Sequence, residues 1–452
     1  MRVRRIISLI ATTCFAFGAN SQVLIQRDQV IEKMVAEVSS DTLRTYITKL
    51  VSFGTRHTLS TTSDSRRGIG AAREWIMSKF RNFAASNRNL SVELDKWILP
   101  PDGRRIDVNA DMGNAMAILR GTDTADKRIF IISGHMDSRV SDPLNRLSDA
   151  PGADDDGSGT AAVIECARVM SGHSFPATII FVAFCGEEQS LFGGQHLAEK
   201  ATQNNWDIEA LLNNDIIGSN NSSETNIISN NQVRIFSEGL PAFDLEKKAA
   251  AIRFSGLEND GASRQLARYV KEMGERYIPN LDPVLIYRAD RFQRGGDQVP
   301  FIQHGYAAIR ITEMNENYTR QHQDIRTEKN IHYGDLPDYI DYEYLRKNAA
   351  LNLATLANLA KSPYPPLEPK IELGQTSLGN FTSLRWKPPL EGKVKGYYVL
   401  MRETTSAQWQ TKTFTADTEV RLPFSKDNYF FAVQSVSEEG NESLPVVPGM
   451  SR

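Results

Sequence analysis

Four short stretches of the sequence concentrate side chains that can do chemistry. "GHMDS" (134–138) sets His135 and Asp137 two residues apart, and "PGADDDGSG" (151–159) carries three successive aspartates with Asp155 in the middle. "FCGEEQ" (184–189) puts Glu187 beside Glu188, and "LLNNDIIG" (211–218) ends an apolar run at Asp215. Each alone has an ordinary explanation as a turn, a helix cap or a solvated surface pair. Their ordered recurrence at the ends of apolar runs does not. Like charges brought to one place repel and cost desolvation energy unless a cation is present. Mixed histidine and carboxylate ligands suit zinc, and so many carboxylates suggest two ions, one carboxylate bridging them at roughly 3.5–4 Å. Hydrolysis then needs a carboxylate that binds no metal and takes a proton from bound water. Adjacent glutamates can divide those duties.

Such a centre needs elements that bring distant segments together. "RIFIISG" (128–134), "TIIFVAF" (178–184) and "YAAIRITE" (306–313) are near-continuous apolar runs, as expected of strands buried on both faces. Between and after them, helical spacing runs through 160–170, 262–277 and 342–361. This rhythm predicts an α/β fold, a mostly parallel mixed sheet flanked by helices, with ligands bound beyond the carboxyl ends of the strands. Upstream, the spacing predicts a helix within 25–54, capped at Ser40 and ended by Gly54, and a second over 70–80.

Taken in order, "GHMDS", "PGADDDGSG", "CGEEQ" and "NND" resemble the co-catalytic double-zinc aminopeptidases, the secreted bacterial leucyl aminopeptidase type, within the wider clan of zinc exopeptidases. The resemblance covers about residues 40–361. It implies two Zn(2+) ions held by His135, Asp155, Glu188, Asp215 and a late histidine, with Asp155 bridging and Asp137 orienting His135. It implies Glu187 as the general base and a cis peptide after Asp155. For the late histidine the resemblance favours His322, followed by "QD", over His332. Two positions depart from the family: Gln321 stands where a tyrosine is usual, leaving the oxyanion donor unassigned, and Gln298 stands where histidine often follows the aspartate. Asp297 is read as supporting the site without binding metal. His57, His173, His196 and His304 have no such context. The activity implied is removal of amino-terminal residues from peptides. The alternatives are a carboxypeptidase or dipeptidase, a single-zinc glutaminyl cyclase on the same fold, and a non-enzymatic adhesion module, which the complete set of ligand types opposes.

Composition limits the rest. The 452 residues contain 52 basic and 55 acidic side chains, net -3, leaving no electrostatic footprint for nucleic acid. The cationic "MRVRR", a short apolar stretch and "ANS" read as a signal peptide over 1–21, so a secreted or periplasmic protein with no membrane span is expected. Cys166 and Cys185 then remain, read as buried thiols. The peptidase domain is placed at 22–361. A proline-rich linker, "SPYPPLEPK", follows at 362–370, and 371–452 shows the short alternating strands of a β-sandwich. Trp386, Tyr398 and Tyr429 make that domain resemble fibronectin type III, either a spacer or a contact for surfaces or polymers.

Overall fold

The computed structural model describes residues 26–240, 242–243, 245–373 and 379–451; the segment read as a signal peptide lies outside the described residues. An eight-stranded sheet is built from β1 (Leu90–Leu99), β2 (Ala110–Leu119), β3 (Arg128–His135), β4 (Thr178–Phe184), β5 (Asp207–Asn214), β6 (Gln232–Phe236), β7 (Asp282–Ile286) and β8 (Ala308–Glu313). Their order is β1-β2-β4-β3-β5-β8-β6-β7. The central neighbours β4-β3-β5-β8 are all parallel, whereas β1, β2 and β4 pair antiparallel and β6 runs antiparallel to β8. The sheet is therefore mixed, with the parallel part where the apolar runs are longest.

Nine α-helices are described: α1 (Gln29–Glu37), α2 (Ser40–Val51), α3 (Gly68–Ala84), α4 (Gly157–Met170), α5 (Phe192–Gln203), α6 (Leu245–Ser255), α7 (Ala262–Tyr277), α8 (Gln298–Gln303) and α9 (Tyr342–Lys361). Strand alternation sorts them into two layers. Phe130 and Ile132 of β3 share a core with Leu43, Ile164, Val270 and Leu353 of α2, α4, α7 and α9. Ile131, pointing the other way, packs with Leu197 of α5 and Phe301 of α8. Nearly every residue of α9 is buried, and such a helix belongs inside a layer rather than on a surface.

The expected first helix is broken in two. Val38 and Ser39 are extended, and Ser39, not Ser40, caps α2 by accepting from the Thr42 amide. Gly54 follows α2 at φ +71°, a left-handed conformation that glycine adopts without strain. Among the described helices none is long and apolar enough to cross a membrane. Cys166 and Cys185 are buried free thiols, and burial raises the pKa of both.

A small hairpin, β9 (Arg326–Glu328) with β10 (Ile331–Tyr333), follows β8. The last part of the chain forms two facing sheets from β11 (Leu367–Glu372), β12 (Thr382–Lys387), β13 (Gly396–Glu403), β14 (Thr411–Thr415), β15 (Glu419–Leu422), β16 (Tyr429–Val436) and β17 (Gly449–Ser451), in the orders β15-β12-β11-β17 and β14-β13-β16. Leu384, Trp386, Tyr397, Val399, Phe431 and Val433 fill the space between them. β11 begins inside the proline-rich stretch, so that stretch both stops α9 and starts the next sheet.

The strand-only part is clamped to the rest by buried charge. Arg276 of α7 makes a fork with Glu442, at 2.8 and 2.7 Å, and Lys412 adds a third contact at 3.3 Å. Arg402 pairs with Asp260 at 2.6 Å, and the Tyr269 hydroxyl donates to the Glu442 carbonyl at 2.7 Å. Removing one partner of a buried pair costs about 3–5 kcal/mol, because the other charge stays buried. Glu442→Ala is therefore expected to lower the chemical-denaturation stability by that order. Burial raises the Glu442 pKa, but Lys412 and Arg276 outweigh it and hold it below the ordinary 4.5. The contribution is thus present above the unfolded value and lost as pH falls below it. Acidification below about pH 4.5 should weaken the wild type more steeply than Glu442→Gln, and equal slopes in the two proteins would contradict this role.

Candidate metal centre

The carboxyl ends of the four parallel strands face one cleft. β3 ends on His135, Glu187 and Glu188 lie just past β4, Asp215 follows β5, and His322 lies in the segment after β8. Asp155 arrives from the loop before α4, where Asp156 caps the helix by accepting from the Gly159 amide at 2.9 Å. α4 presses against the strand here: a Cβ on Gly134 would lie 2.6 Å from the carbonyl carbon of Gly159. The glycines of "GHMDS" and "DDDGSG" thus serve close approach.

Two groups of side chains could each share an ion: His135, Glu187 and Asp215, and Asp155, Glu188 and His322, with the ligand atoms of each group within 4.8 Å of one another. Asp155 joins the groups. Its Oδ1 lies 3.3 Å from His135 Nε2, and its Oδ2 lies 3.0 Å from His322 Nε2. His322 Nε2 is also 3.0 Å from Glu188 Oε1. His135 Nε2 is 3.8 Å from Asp215 Oδ1 and 4.0 Å from Glu187 Oε2. His135 Nε2 and Glu188 Oε1 are buried and, among the described residues, make no hydrogen bond of good geometry. That, with the mixed nitrogen and oxygen donors, fits a metal ion at each group. The five expected ligands therefore come together. The distance criterion adds Glu187 to the first group. His332 lies away on β10, exposed, beside Thr327, and the Asp155–Asp156 peptide is cis.

Burial and crowded carboxylates set the electrostatics of the cluster. Burial pulls the His135 pKa down, but Glu187, Asp137 and Asp155 outweigh it and hold it well above the ordinary value. His322, pulled down by burial and up by Glu188 and Asp155, stands at about 10. Both shifts have the same cause, the carboxylates crowded around the two rings. Burial raises Glu187 strongly; His135 opposes this, while Asp215 and Glu188 add to it. Asp297, fully buried with neither oxygen hydrogen-bonded, is pushed up to about 8 by burial, His135 notwithstanding, with Asp137 and Asp215 adding to the rise.

Asp137 meets His135 differently from the expected carboxylate contact. Its main-chain oxygen, at 3.1 Å, is the nearer partner of His135 Nδ1, with the carboxylate at 3.6 Å. That carboxylate accepts instead from the amides of Glu187 (3.3 Å) and Glu188 (3.2 Å) and from the Thr58 hydroxyl (2.8 Å). It ties the segment after β3 to the one after β4. Gln321 is held between Glu316 and Arg294, and Gln298 between Asp290 and Asn213. His57 is buried against Pro143 and Gln189, while His173, His196 and His304 belong to neither group.

Several residues that hold the centre escaped the sequence reading. Arg56, fully buried, donates to the carbonyls of Met136 (2.7 Å), Pro151 (2.5 Å) and Gly152 (2.8 Å), pinning two ligand loops together. Asp335 accepts from the Asp154 and Asp155 amides. Arg139 reaches Glu188 Oε2 at 2.9 Å and His322 Nδ1 at 2.6 Å, and Arg310 reaches Asp215 Oδ2 at 2.8 Å. Arg310 was detectable as an arginine inside the apolar run of β8, which demands a buried partner. Arg56 gave no such sign, because its partners are backbone carbonyls.

The sequence pattern described as Peptidase family M28 matches residues 114–356. A probable zinc metalloprotease of Leptosphaeria maculans is 40% identical over 424 residues, covering 93% of this chain and 97% of the relative. A second, from Pyrenophora teres f. teres, is 41% identical over 425 residues, covering 93% and 87%. Among solved structures, the chain is similar to the LapA aminopeptidase of Legionella pneumophila, with a TM-score of 0.53 and 18% identity over 75% of this chain and 76% of that one. It is also similar to a glutaminyl cyclase of Macrostomum lignano, with a TM-score of 0.51 and 16% identity over 72% and 91%. These structural likenesses are of fold.

Proposed function

Because the chain belongs to peptidase family M28, we propose that it is a secreted zinc exopeptidase that removes amino-terminal residues from peptides. The observation that carries this reading is the reach of Asp155 to both ligand groups, one oxygen toward each. His135, Asp155 and Asp215 would hold one ion, and Asp155, Glu188 and His322 the other. Zinc held there would supply a water of lowered pKa and polarise the scissile carbonyl.

Glu187 is the general base in this reading: its carboxylate takes the water proton and delivers it to the leaving amine. Asp137 holds the Glu187 amide, so the base and His135 keep a fixed relation. Arg56 and Asp335 keep the aspartate loop at the strand ends. The cleft has a volume of about 160 Å³, below the roughly 300–1,000 Å³ of pockets that enclose drug-sized ligands. The strand-only part is read as a fibronectin type III-like domain, and export rests on the amino-terminal sequence pattern.

Release of a free amino-terminal residue from a peptide panel, stopped by chelator and restored by zinc, is the expected result. Release only from the carboxyl end, or ring closure of amino-terminal glutamine without hydrolysis, would overturn the reading. The two ions should also differ in affinity. Arg139 sets its positive charge against Glu188 and His322 and so opposes a cation there. Titration of the metal-free protein with zinc against a chromophoric chelator should show two steps; two equal sites would contradict this role of Arg139.

A further inference from the structure

Guanidinium groups line the metal cleft beside its carboxylates: Arg139, Arg291 and Arg294. The wall behind Arg291 and Arg294 holds more positive than negative charge. Glu316 Oε1 is taken by Arg234 at 2.6 Å, and Glu316 Oε2 by Arg291 at 2.6 Å. Asp290 is shared between Arg291 at 3.3 Å and Arg310 at 3.5 Å. Four arginines thus face two carboxylates, and the third acid within reach, Asp215, belongs to the metal groups. Arg310 is fully buried, and its Nε and Nη2 have no hydrogen-bond partner among the described residues.

Arg294 carries the unmatched charge. It lies 3.8 Å from Glu316, both of whose oxygens are already engaged, and among the described residues its side chain hydrogen-bonds only to the neutral Gln321 amide oxygen, at 3.2 Å. Gln321 is itself buried and fixed by donating to Glu316 at 3.1 Å, so the guanidinium is held at the cleft rather than left to sweep through solvent. Its side chain keeps 34% exposure, against 11% for Arg291. A guanidinium offers five donors in a planar fork that matches a carboxylate, and most of this fork makes no hydrogen bond among the described residues.

We infer that the cleft recognises a carboxylate of the substrate, with Arg294 as the contact and Arg291 reinforcing the positive wall behind it. This rests on the exopeptidase reading and names its substrate class. The carboxylate can come from an acidic amino-terminal side chain or from the free carboxyl end of a dipeptide.

Matched pairs separate the two sources. The zinc-loaded full chain would be assayed on glutamyl against glutaminyl anilides, and on leucyl-glycine against leucyl-glycinamide. At least one carboxylate member should exceed its neutral isostere in kcat/KM by on the order of tenfold. The pair that responds identifies the source. Arg294→Ala should collapse that ratio toward one, and Arg294→Lys should retain part of it, since the charge survives without the fork. Ratios near one in both wild-type pairs, or a ratio that persists in Arg294→Ala, would overturn the inference. Calorimetry on the zinc-loaded Glu187→Gln variant gives a readout independent of turnover: in at least one of the two pairs the carboxylate member should bind more tightly than its neutral isostere, and adding Arg294→Ala should erase the difference. If no member of the panel is hydrolysed, the exopeptidase reading fails, and the calorimetric comparison alone decides whether the cleft takes a carboxylate.

Discussion

Glu187→Gln is expected to lower kcat by about 10²–10⁴-fold, the range general acid–base catalysis contributes, while zinc content stays at the wild-type level. The amide keeps the shape of the side chain but cannot accept a proton. The separation from metal content matters because Glu187 Oε2 lies 4.0 Å from His135 Nε2, near enough to be counted with the first ligand group. If Glu187 were a ligand, the variant would lose an ion together with its activity. A zinc deficit in Glu187→Gln would therefore transfer this residue from base to ligand. The backbone of Glu187 is held by Asp137 whichever side chain is present, so the fold should be unaffected.

Asp155→Asn is expected to be more damaging still, because one residue serves both groups. Its two oxygens lie 3.3 and 3.0 Å from the two histidines, and an amide presents only one oxygen. Each ion loses charge neutralisation or a donor. A loss of several kcal/mol of transition-state stabilisation corresponds to a drop of about 10³-fold or more in kcat/KM. Zinc stoichiometry should fall in both sites, whereas His322→Ala should empty one site and leave the His135 group loaded. Equal zinc content in Asp155→Asn and His322→Ala would argue against a bridging role. Both variants bear on residues that touch the reacting atoms, unlike Glu442, whose loss should appear in stability.

Much of this architecture could be read before any coordinates because burial writes itself into composition. The runs at 178–184 and 342–361 coincide with β4 and α9, since a strand buried on both faces and a helix buried nearly all round carry many apolar residues, while α7 at 262–277 was legible from the helical spacing of its apolar positions within a mainly polar run. β1 and β2 were not anticipated. β1 mixes half-buried and exposed positions without strict alternation, and β2 is interrupted by Gly113 and Asn114, whose reasons lie in contacts with Leu94, Arg73 and Gly193. The ligand segments were legible because each combined a strand end with an unusual density of acid or imidazole. The residues that brace them were not. Arg56 binds carbonyls, Asp335 binds amides, and Arg139 reaches across 183 positions to His322; such pairings depend on tertiary proximity, which a single sequence does not encode locally. The break between α1 and α2 is of the same kind, for the Ser39 amide donates to Glu165 of α4 at 2.8 Å.

The most direct test of the two-ion centre is anomalous diffraction at the zinc edge from crystals of the zinc-loaded protein. Two peaks are expected, one among His135, Asp155 and Asp215 and one among Asp155, Glu188 and His322, with Glu187 outside both coordination shells. A single peak, or a peak ligated by Glu187 in place of Asp155, would contradict it.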